Sequence, residues 1–217
     1  IPNGVAPAVT QLRLSAFELQ QRYKPNGEFI CAYAGTIGMA AGLDVVLQAA
    51  RSLKDKKEAS IKFMLIGDGA ERERLQRQAE SEDLDNVIFT GRQNKEYMPD
   101  YLALVDACLV HLKKTDLFKS VLPSKIFEAA AMEKAIIMGV EGHAANLIRK
   151  SGGGICIEPE NAEELCRAVQ LLAADADLAR QYGKKAKGYM LQHFDRITLA
   201  RKYEKLVETI VDKCNPD

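Results

Sequence analysis

Apolar residues recur along the chain in two rhythms. Short unbroken runs, FICAYAG (29–35), IKFMLIG (61–67), NVIFTG (86–91), DACLVHL (106–112), KAIIMG (134–139) and GGICI (153–157), read as strands buried on both faces. Between them the period is helical. Leu43, Val46, Leu47, Ala50 and Leu53 mark a helix over 42–53. A polar, surface-type helix follows over 70–82. Another is expected over 95–105, interrupted near Pro99, and a further one over 142–150. The stretch VLPSKIFEAAAM (121–132) opens a helix whose Ile, Phe, Ala and Met belong inside. After the last strand only helices are expected, over 161–173, 175–192 and 196–212. The first 28 residues, with Pro2, Gly4, Pro7, Pro25 and Gly27, read as a connector holding a short helix over 12–23.

Strand and helix alternate with short connections, which specifies an α/β protein: a doubly wound, six-stranded parallel sheet with helices on both faces and a helical C-terminal tail. Such sheets bind ligands beyond the carboxyl ends of their strands, where strand order reverses. The residues just after each strand therefore carry the information. GTIGMAAG follows the first strand with Gly35, Gly38 and Gly42, and glycines there let backbone amides approach a phosphate. A tight ligand-free turn explains them equally well. The spacing is not GxGxxG, because Ile37 and Ala40 hold the second and third glycine positions. GDGAER follows the second strand; Gly67 and Gly69 fit, but Arg72 stands third, and a simple turn is again an alternative. TGRQNKEY follows the third strand and offers Arg92 and Gln93. His111 ends the fourth, ahead of a loop with Lys113, Lys114, Lys119 and Lys125.

Composition narrows the function classes. Basic and acidic residues balance at thirty each, and Trp is absent. Neither a global charge for nucleic acid nor a stacking platform for single strands is present. The five cysteines form no CxxC pair, and Cys31, Cys108 and Cys156 fall inside apolar strand-like runs. A reducing, cytoplasmic setting follows. No apolar run is as long as a membrane span, and no signal peptide opens the chain. A start at Ile1 rather than Met reads as a piece of something longer.

The helix opening in 121–132 raises a specific question. Pro123 and Ser124 are good helix-start residues. A carboxylate at Glu128 gains from the helix dipole by roughly 0.3–1 kcal/mol. A cation at Lys125 opposes that dipole unless an anion lies between it and the amides. Lys125 with free backbone N–H groups thus points to a phosphate, and Glu128, one turn on, to the two hydroxyls of a ribose. Together they point to a nucleotide.

This arrangement resembles the C-terminal, donor-binding domain of retaining glycosyltransferases of family 4, which have the GT-B fold. The likeness runs over nearly the whole chain: IPNGV (1–5) as the linker, YAGTIGMAAGLDVVLQAA as the first glycine turn and helix, then LIGDGAERERL, VIFTGRQNKEYMPDYLALVDACLVHL and LPSKIFEAAAMEKAIIMGVEG. It implies a linker and short helix over 1–28, a nucleotide-sugar domain over 29–192 and a crossover helix over 193–217, with the acceptor domain outside the chain. It implies that Glu128, the second Glu of a Glu-x7-Glu motif, grips the ribose. Gly38 and the amides around Val121 and Leu122 would hold the diphosphate, with Gly35, Gly67, Gly69 and Ser124 nearby. Arg92 and Gln93 would lie beside the base, contacting it mostly through backbone. The first Glu of the motif is replaced by Ser120, and the family's basic pair by Thr36 and Ala41, so Lys125 is expected to supply the positive charge. The catalytic candidates are Lys125 and Ser120. The Pro-Ser-Lys version looks like bacterial surface-polysaccharide transferases.

The implied activity moves a hexosyl or N-acetylaminosugar from a UDP-sugar, with a GDP-sugar as the alternative, to a sugar or lipid-linked acceptor hydroxyl. No cofactor or metal is implied; the three His are scattered at 111, 143 and 193. The isolated 217-residue chain is expected to bind donor without turnover. Arg180, Lys184, Lys185, Lys187, Arg201, Lys202 and Lys205 read as a solvated face, with peripheral membrane contact as the alternative. Leu199, Tyr203, Leu206 and Ile210 are candidates for exposure on the last helix. Rival readings are an epimerase of the same fold, using Asp116, His111 and Glu141, and a non-catalytic sugar-nucleotide module, favoured by Ser120. A nicotinamide oxidoreductase is disfavoured, since Thr90 and Gly91 stand where a ribose-binding acid belongs.

Overall fold

The computed structural model describes residues 12–214, so the IPNGV stretch and the start of the connector lie outside the described residues. Six strands, β1 (Phe29–Ala34), β2 (Ile61–Ile66), β3 (Val87–Gly91), β4 (Ala107–His111), β5 (Ala135–Gly139) and β6 (Gly154–Cys156), form one sheet in the order β3-β2-β1-β4-β5-β6. Every pairing is parallel. The chain runs outward from β1 to β3, returns to β4 beside β1, and runs outward the other way to β6. The reversal of strand order lies between β1 and β4.

Burial follows the position of each strand. All of β4 and β5 is buried, whereas the edge strands β3 and β6 are half-buried throughout. One core cluster packs Val46, Leu47 and Leu53 with Leu75, Leu165 and Leu172. These residues come from α2 (Asp44–Asp55), α3 (Arg72–Ser81) and α7 (Ala162–Ala174). The other joins α1 (Ala16–Tyr23), α4 (Met98–Leu104), α5 (Lys125–Ala131), α6 (His143–Ser151) and α8 (Ala176–Phe194) through Leu19, Leu102, Phe127, Ile148 and Met190. Cys31 and Cys108 are buried on opposite faces. Burial pushes the Cys31 thiol well up and the Cys108 thiol to about 12.

Several element boundaries differ from the sequence expectation. Helix α1 starts late because Asp100, itself buried, draws in the backbone N–H groups of Arg13 and Leu14, both 2.8 Å from Oδ1. Ser15 then caps the helix, its hydroxyl accepting from the Glu18 N–H. Pro99 does not interrupt a helix: a 3-10 turn at Lys95–Tyr97 precedes α4, and the proline lies in the first turn, where its missing donor costs nothing. The last helix, α9 (Arg196–Cys214), exposes Tyr203, Leu206 and Ile210, with Leu199 half-buried. The side chain of Lys202 lies outside the described residues.

Candidate functional site

Two segments far apart in sequence meet where strand order reverses. Gly35 leaves β1 at φ +135°, a conformation that favours glycine, and its N–H donates to the Ile66 carbonyl at 2.8 Å. The space a Gly35 side chain would take is filled by Lys125, the first residue of α5. A Cβ there would lie 2.6 Å from Lys125 Cε and 2.7 Å from Nζ. The ammonium also stands over the face of Tyr33, 5.1 Å from the ring centroid. Tyr33 is held in place by its hydroxyl, which donates to the Thr36 carbonyl at 2.9 Å, and burial raises its pKa to about 12. Among the described residues Lys125 has no ion pair. Burial lowers its pKa, opposed by the charge of Glu128.

A cleft of about 440 Å³ opens at the carboxyl ends of β1, β2 and β3. Of the expected site residues, Gly35, Gly67, Arg92, Gln93 and Glu128 line it. Glu128 is exposed there, one turn from Lys125. Asp68 and Met98 line it as well and were not among the sequence candidates. Lys125 joins the group through its contact with Gly35. Other hollows lie elsewhere, among them one of about 160 Å³ between α1 and α4, one of about 560 Å³ along α3 and β3, and one of about 260 Å³ beside Asp106 and Lys134.

The glycines divide into two kinds. A Cβ on Gly69 would sit 2.7 Å from the Ile37 carbonyl carbon, and one on Gly67 would sit 2.9 Å from the Gly35 carbonyl carbon. Both allow the turns after β1 and β2 to lie backbone against backbone, tied by Ile37 N–H to the Asp68 carbonyl at 2.9 Å and Glu71 N–H to the Ile37 carbonyl at 3.0 Å. Gly38 is different. Its backbone is extended, φ −117° and ψ 171°, and an added Cβ would meet only Thr36 Cγ2 at 3.7 Å. Nothing in the described protein requires glycine at that position.

The start of α5 departs from expectation in two details. Ser124 makes no side-chain cap; it already has helical angles, and its carbonyl accepts from Phe127 N–H at 3.0 Å and Glu128 N–H at 3.3 Å. The Val121 N–H is engaged with the Phe118 carbonyl at 3.1 Å, closing a 3-10 turn over Asp116–Ser120. The N–H groups of Leu122, Ser124 and Lys125 make no hydrogen bond among the described residues. Ser120 is exposed, its hydroxyl donating to the Leu117 carbonyl at 3.4 Å.

Lys114, Lys119 and His111 are engaged elsewhere. Lys114 pairs with Glu158, and Lys119 with Asp116 at 2.7 Å and Glu141 at 3.8 Å. His111 is buried and uses both ring nitrogens. Nδ1 donates to the Ala41 carbonyl at 2.7 Å, so Nε2 is the acceptor for the Glu160 N–H at 2.8 Å. Burial lowers its pKa, holding it neutral. His111 therefore clamps the first glycine turn to the loop after β6 and has no nitrogen free for acid–base work. Among the described residues no three His, Cys, Asp or Glu side chains gather as a metal site requires.

The sequence family described as "Glycosyl transferases group 1" matches residues 16–189. The chain belongs to this glycosyltransferase family. Its fold is the Rossmann-like half of GT-B proteins. Among curated proteins it is similar to "Putative colanic acid biosynthesis glycosyl transferase WcaI" of Escherichia coli K12, 29% identical over 167 residues, covering 74% of this chain and 40% of that protein. Among solved structures it superposes on Anabaena Alr3699/HepE, crystallised with UDP and glucose, at a TM-score of 0.80 and 19% identity, covering 96% of this chain and 56% of that one. The C-terminal domain of the group 1 family protein LpcC from Francisella tularensis matches at 0.67 and 19%, over 88% of this chain and 98% of that domain. The chain spans about half the length of the curated relatives it matches.

Proposed function

We propose that this chain is the donor-binding half of a retaining glycosyltransferase that takes a sugar from a UDP-sugar, with a GDP-sugar as the alternative donor, and passes it to a hydroxyl of a sugar or lipid-linked acceptor. The observation that carries the reading is Lys125: a half-buried cation with no ion pair among the described residues, packed into the gap left by Gly35 at the edge of a cleft containing Glu128. A diphosphate beside Lys125 would supply the missing negative charge, and Glu128 would accept the ribose hydroxyls. Gly38, which the protein itself does not require, would leave room for a phosphate against the backbone. In the reaction the bond between the anomeric carbon and the diphosphate oxygen would break, its electron pair staying on that oxygen, and the acceptor oxygen would bond to the same face of the carbon while its proton passes to the departing diphosphate. Lys125 and the amides of Leu122 and Ser124 would stabilise the charge gathering on the departing diphosphate.

The acceptor would be bound by a further domain, so this chain alone would hold donor without turnover. The setting proposed is bacterial surface-polysaccharide or related glycan synthesis in the cytoplasm, peripheral to the membrane where the acceptor is lipid-linked. No helix of the described residues is long and apolar enough to cross a membrane. An epimerase is not favoured, because both His111 nitrogens are engaged. Ser120, bonded to Leu117, leaves open a second reading as a nucleotide-sugar binder without transfer.

Titration calorimetry with UDP and GDP tests the donor reading. UDP should bind, and Glu128→Ala and Lys125→Ala should each weaken it about tenfold or more, as loss of a charge-assisted contact does. Binding unchanged in both variants would defeat the reading. Sugar transfer assayed with the longer protein separates the transferase from the silent binder.

A further inference from the structure

The stretch from β4 into α5 carries Lys113, Lys114, Lys119 and Lys125, and these divide into two kinds. Lys114 and Lys119 are paired with carboxylates. Lys114 also takes a second acid of the loop after β6, its backbone N–H donating to Glu160 Oε2 at 2.8 Å. Lys113 and Lys125 make no ion pair among the described residues, and both are bedded on glycines of the turn that follows β1. Lys125 fills the space beside Gly35. Lys113 fills the space beside Gly42, where an added Cβ would lie 2.9 Å from Lys113 Cγ. The backbone of Lys113 is tied to the same turn, its N–H donating to the Ala40 carbonyl at 2.9 Å. Between the two cations the N–H groups of Gly38, Met39 and Ala40 make no hydrogen bond among the described residues. The turn thus has a cation bedded at each end, free amide donors in the middle, and no acid paired with either cation.

Resting on the donor reading above, we propose that Lys113 is a further residue of the donor site and binds the phosphate farther from the ribose. The cleft that holds Glu128 is lined by Gly35 and Thr36, but not by Gly42 or Lys113. A nucleoside seated there sends its phosphates out along the turn, from the Gly35 end towards the Gly42 end. The nearer phosphate meets Lys125. The farther one, which carries the sugar, meets Lys113. Charge supports this division, because each phosphate of a diphosphate ester bears a negative charge and each ammonium answers one. Lys113 is exposed, so its ammonium can follow a bound anion on a flexible stem without first leaving a partner. Glu158 and Glu160 are turned to Lys114 and do not compete for it. An ordinary surface lysine would share the exposure of Lys113, but not its bed on Gly42 or its tie to Ala40.

The test is calorimetric titration of UDP and UMP, which differ only in the second phosphate, into the chain and its variants Lys113→Met, Lys113→Arg and Lys114→Met. Where GDP is the nucleotide that binds, GDP and GMP take the place of this pair. The wild type should bind the diphosphate more tightly than the monophosphate. Lys113→Met should weaken the diphosphate about tenfold, the scale of one charge-assisted contact at an exposed site, and leave the monophosphate within about twofold. Lys113→Arg keeps the charge and should restore most of the lost affinity. Lys114→Met removes an equal charge one residue away, but that ammonium is already paired with Glu158, so both nucleotides should stay within about twofold. Equal weakening of diphosphate and monophosphate in Lys113→Met, no weakening of the diphosphate, or equal effects at 113 and 114 overturns the role of Lys113 and leaves the donor site standing. A wild type that binds the diphosphate no tighter than the monophosphate does the same. Absence of any nucleotide binding by the wild type overturns both. Circular dichroism of Lys113→Met guards against a folding defect.

Discussion

Replacing Gly38 by Ala separates what the fold needs from what a ligand needs. Gly38 has an extended backbone, and its added methyl would touch only Thr36 Cγ2 at an ordinary 3.7 Å. The folded state therefore accepts the change, while the unfolded chain loses freedom. The expected gain is about 0.4–1 kcal/mol of stability, or a rise of roughly 1–4 °C in thermal midpoint for a chain of this size. Binding should move the other way. A phosphate resting on the Gly38 backbone would meet the methyl and lose at least one charge-assisted contact, about 1.5–3 kcal/mol, so UDP should weaken roughly tenfold to a hundredfold. Gly67→Ala is the control with the opposite logic. Its φ of +142° and the 2.9 Å approach to the Gly35 carbonyl carbon predict a loss of order 2–4 kcal/mol in stability from strain and overlap. The assays are thermal unfolding without ligand and calorimetric titration with UDP, run on both variants. A Gly38→Ala protein that is less stable than wild type would refute the reading of its backbone. One that is more stable yet binds UDP within twofold of wild type would refute the phosphate cradle.

Two further predictions concern pH. Burial lowers the pKa of His111, so the unfolded chain takes up a proton before the folded one does. Unfolding free energy should fall as pH drops from about 6.5, and His111→Gln should flatten that slope in urea titrations at pH 5 to 7. A slope unchanged in the variant would assign the titration elsewhere. Glu28 is buried beside Lys62, Nζ 2.7 Å from Oε1. Burial alone would raise its pKa, but hydrogen bonds from Lys62, its own backbone and Asn26 bring it down to about 2. Its contribution is full above pH 4.5 and is lost as pH falls towards 2. Glu28→Gln should cost about 1–3 kcal/mol at pH 7, reduced from the value for a fully buried pair by the partial exposure of Lys62, and the difference from wild type should shrink in acid.

The strands were legible because a sheet covered on both faces leaves continuous apolar runs, and each of the six lies within a residue or two of its expected place. Helix starts were less so, because they depend on distant partners: the Asp100 carboxylate that takes the N–H groups of Arg13 and Leu14 is more than eighty positions away. Glu128, Gly35, Gly67, Arg92 and Gln93 could be placed at one cleft because every one follows a strand of a parallel sheet. The packing of Lys125 into the space beside Gly35 could not be read from spacing, nor could the Tyr33 ring beneath the ammonium. His111 looked like a possible acid or base in the sequence. Only the three-dimensional contacts with Ala41 and Glu160 show a neutral clamp.

Strand order explains why a cation can be kept at the head of α5. Lys125 opposes the dipole of its own short helix and loses hydration, two costs that a fold selected for stability alone would remove. Yet its stem has a defined bed: Gly35 has no side chain, and Tyr33 offers an aromatic face. Both residues come from β1 and its turn, while Lys125 comes from the helix after β4. Those two segments become neighbours because the chain, having run outward to β3, restarts beside β1. On either side of that junction successive strand ends splay their helices to the same face; only here do the helices diverge and leave a crevice between two turns. The topology thus creates the gap, the glycine empties it, and the lysine is held there by packing rather than by a carboxylate. Its ammonium makes no ion pair among the described residues, although the charge of Glu128 acts on it, and it is thereby left open to an anionic substrate. A paired lysine would have to give up its partner before it could serve that substrate.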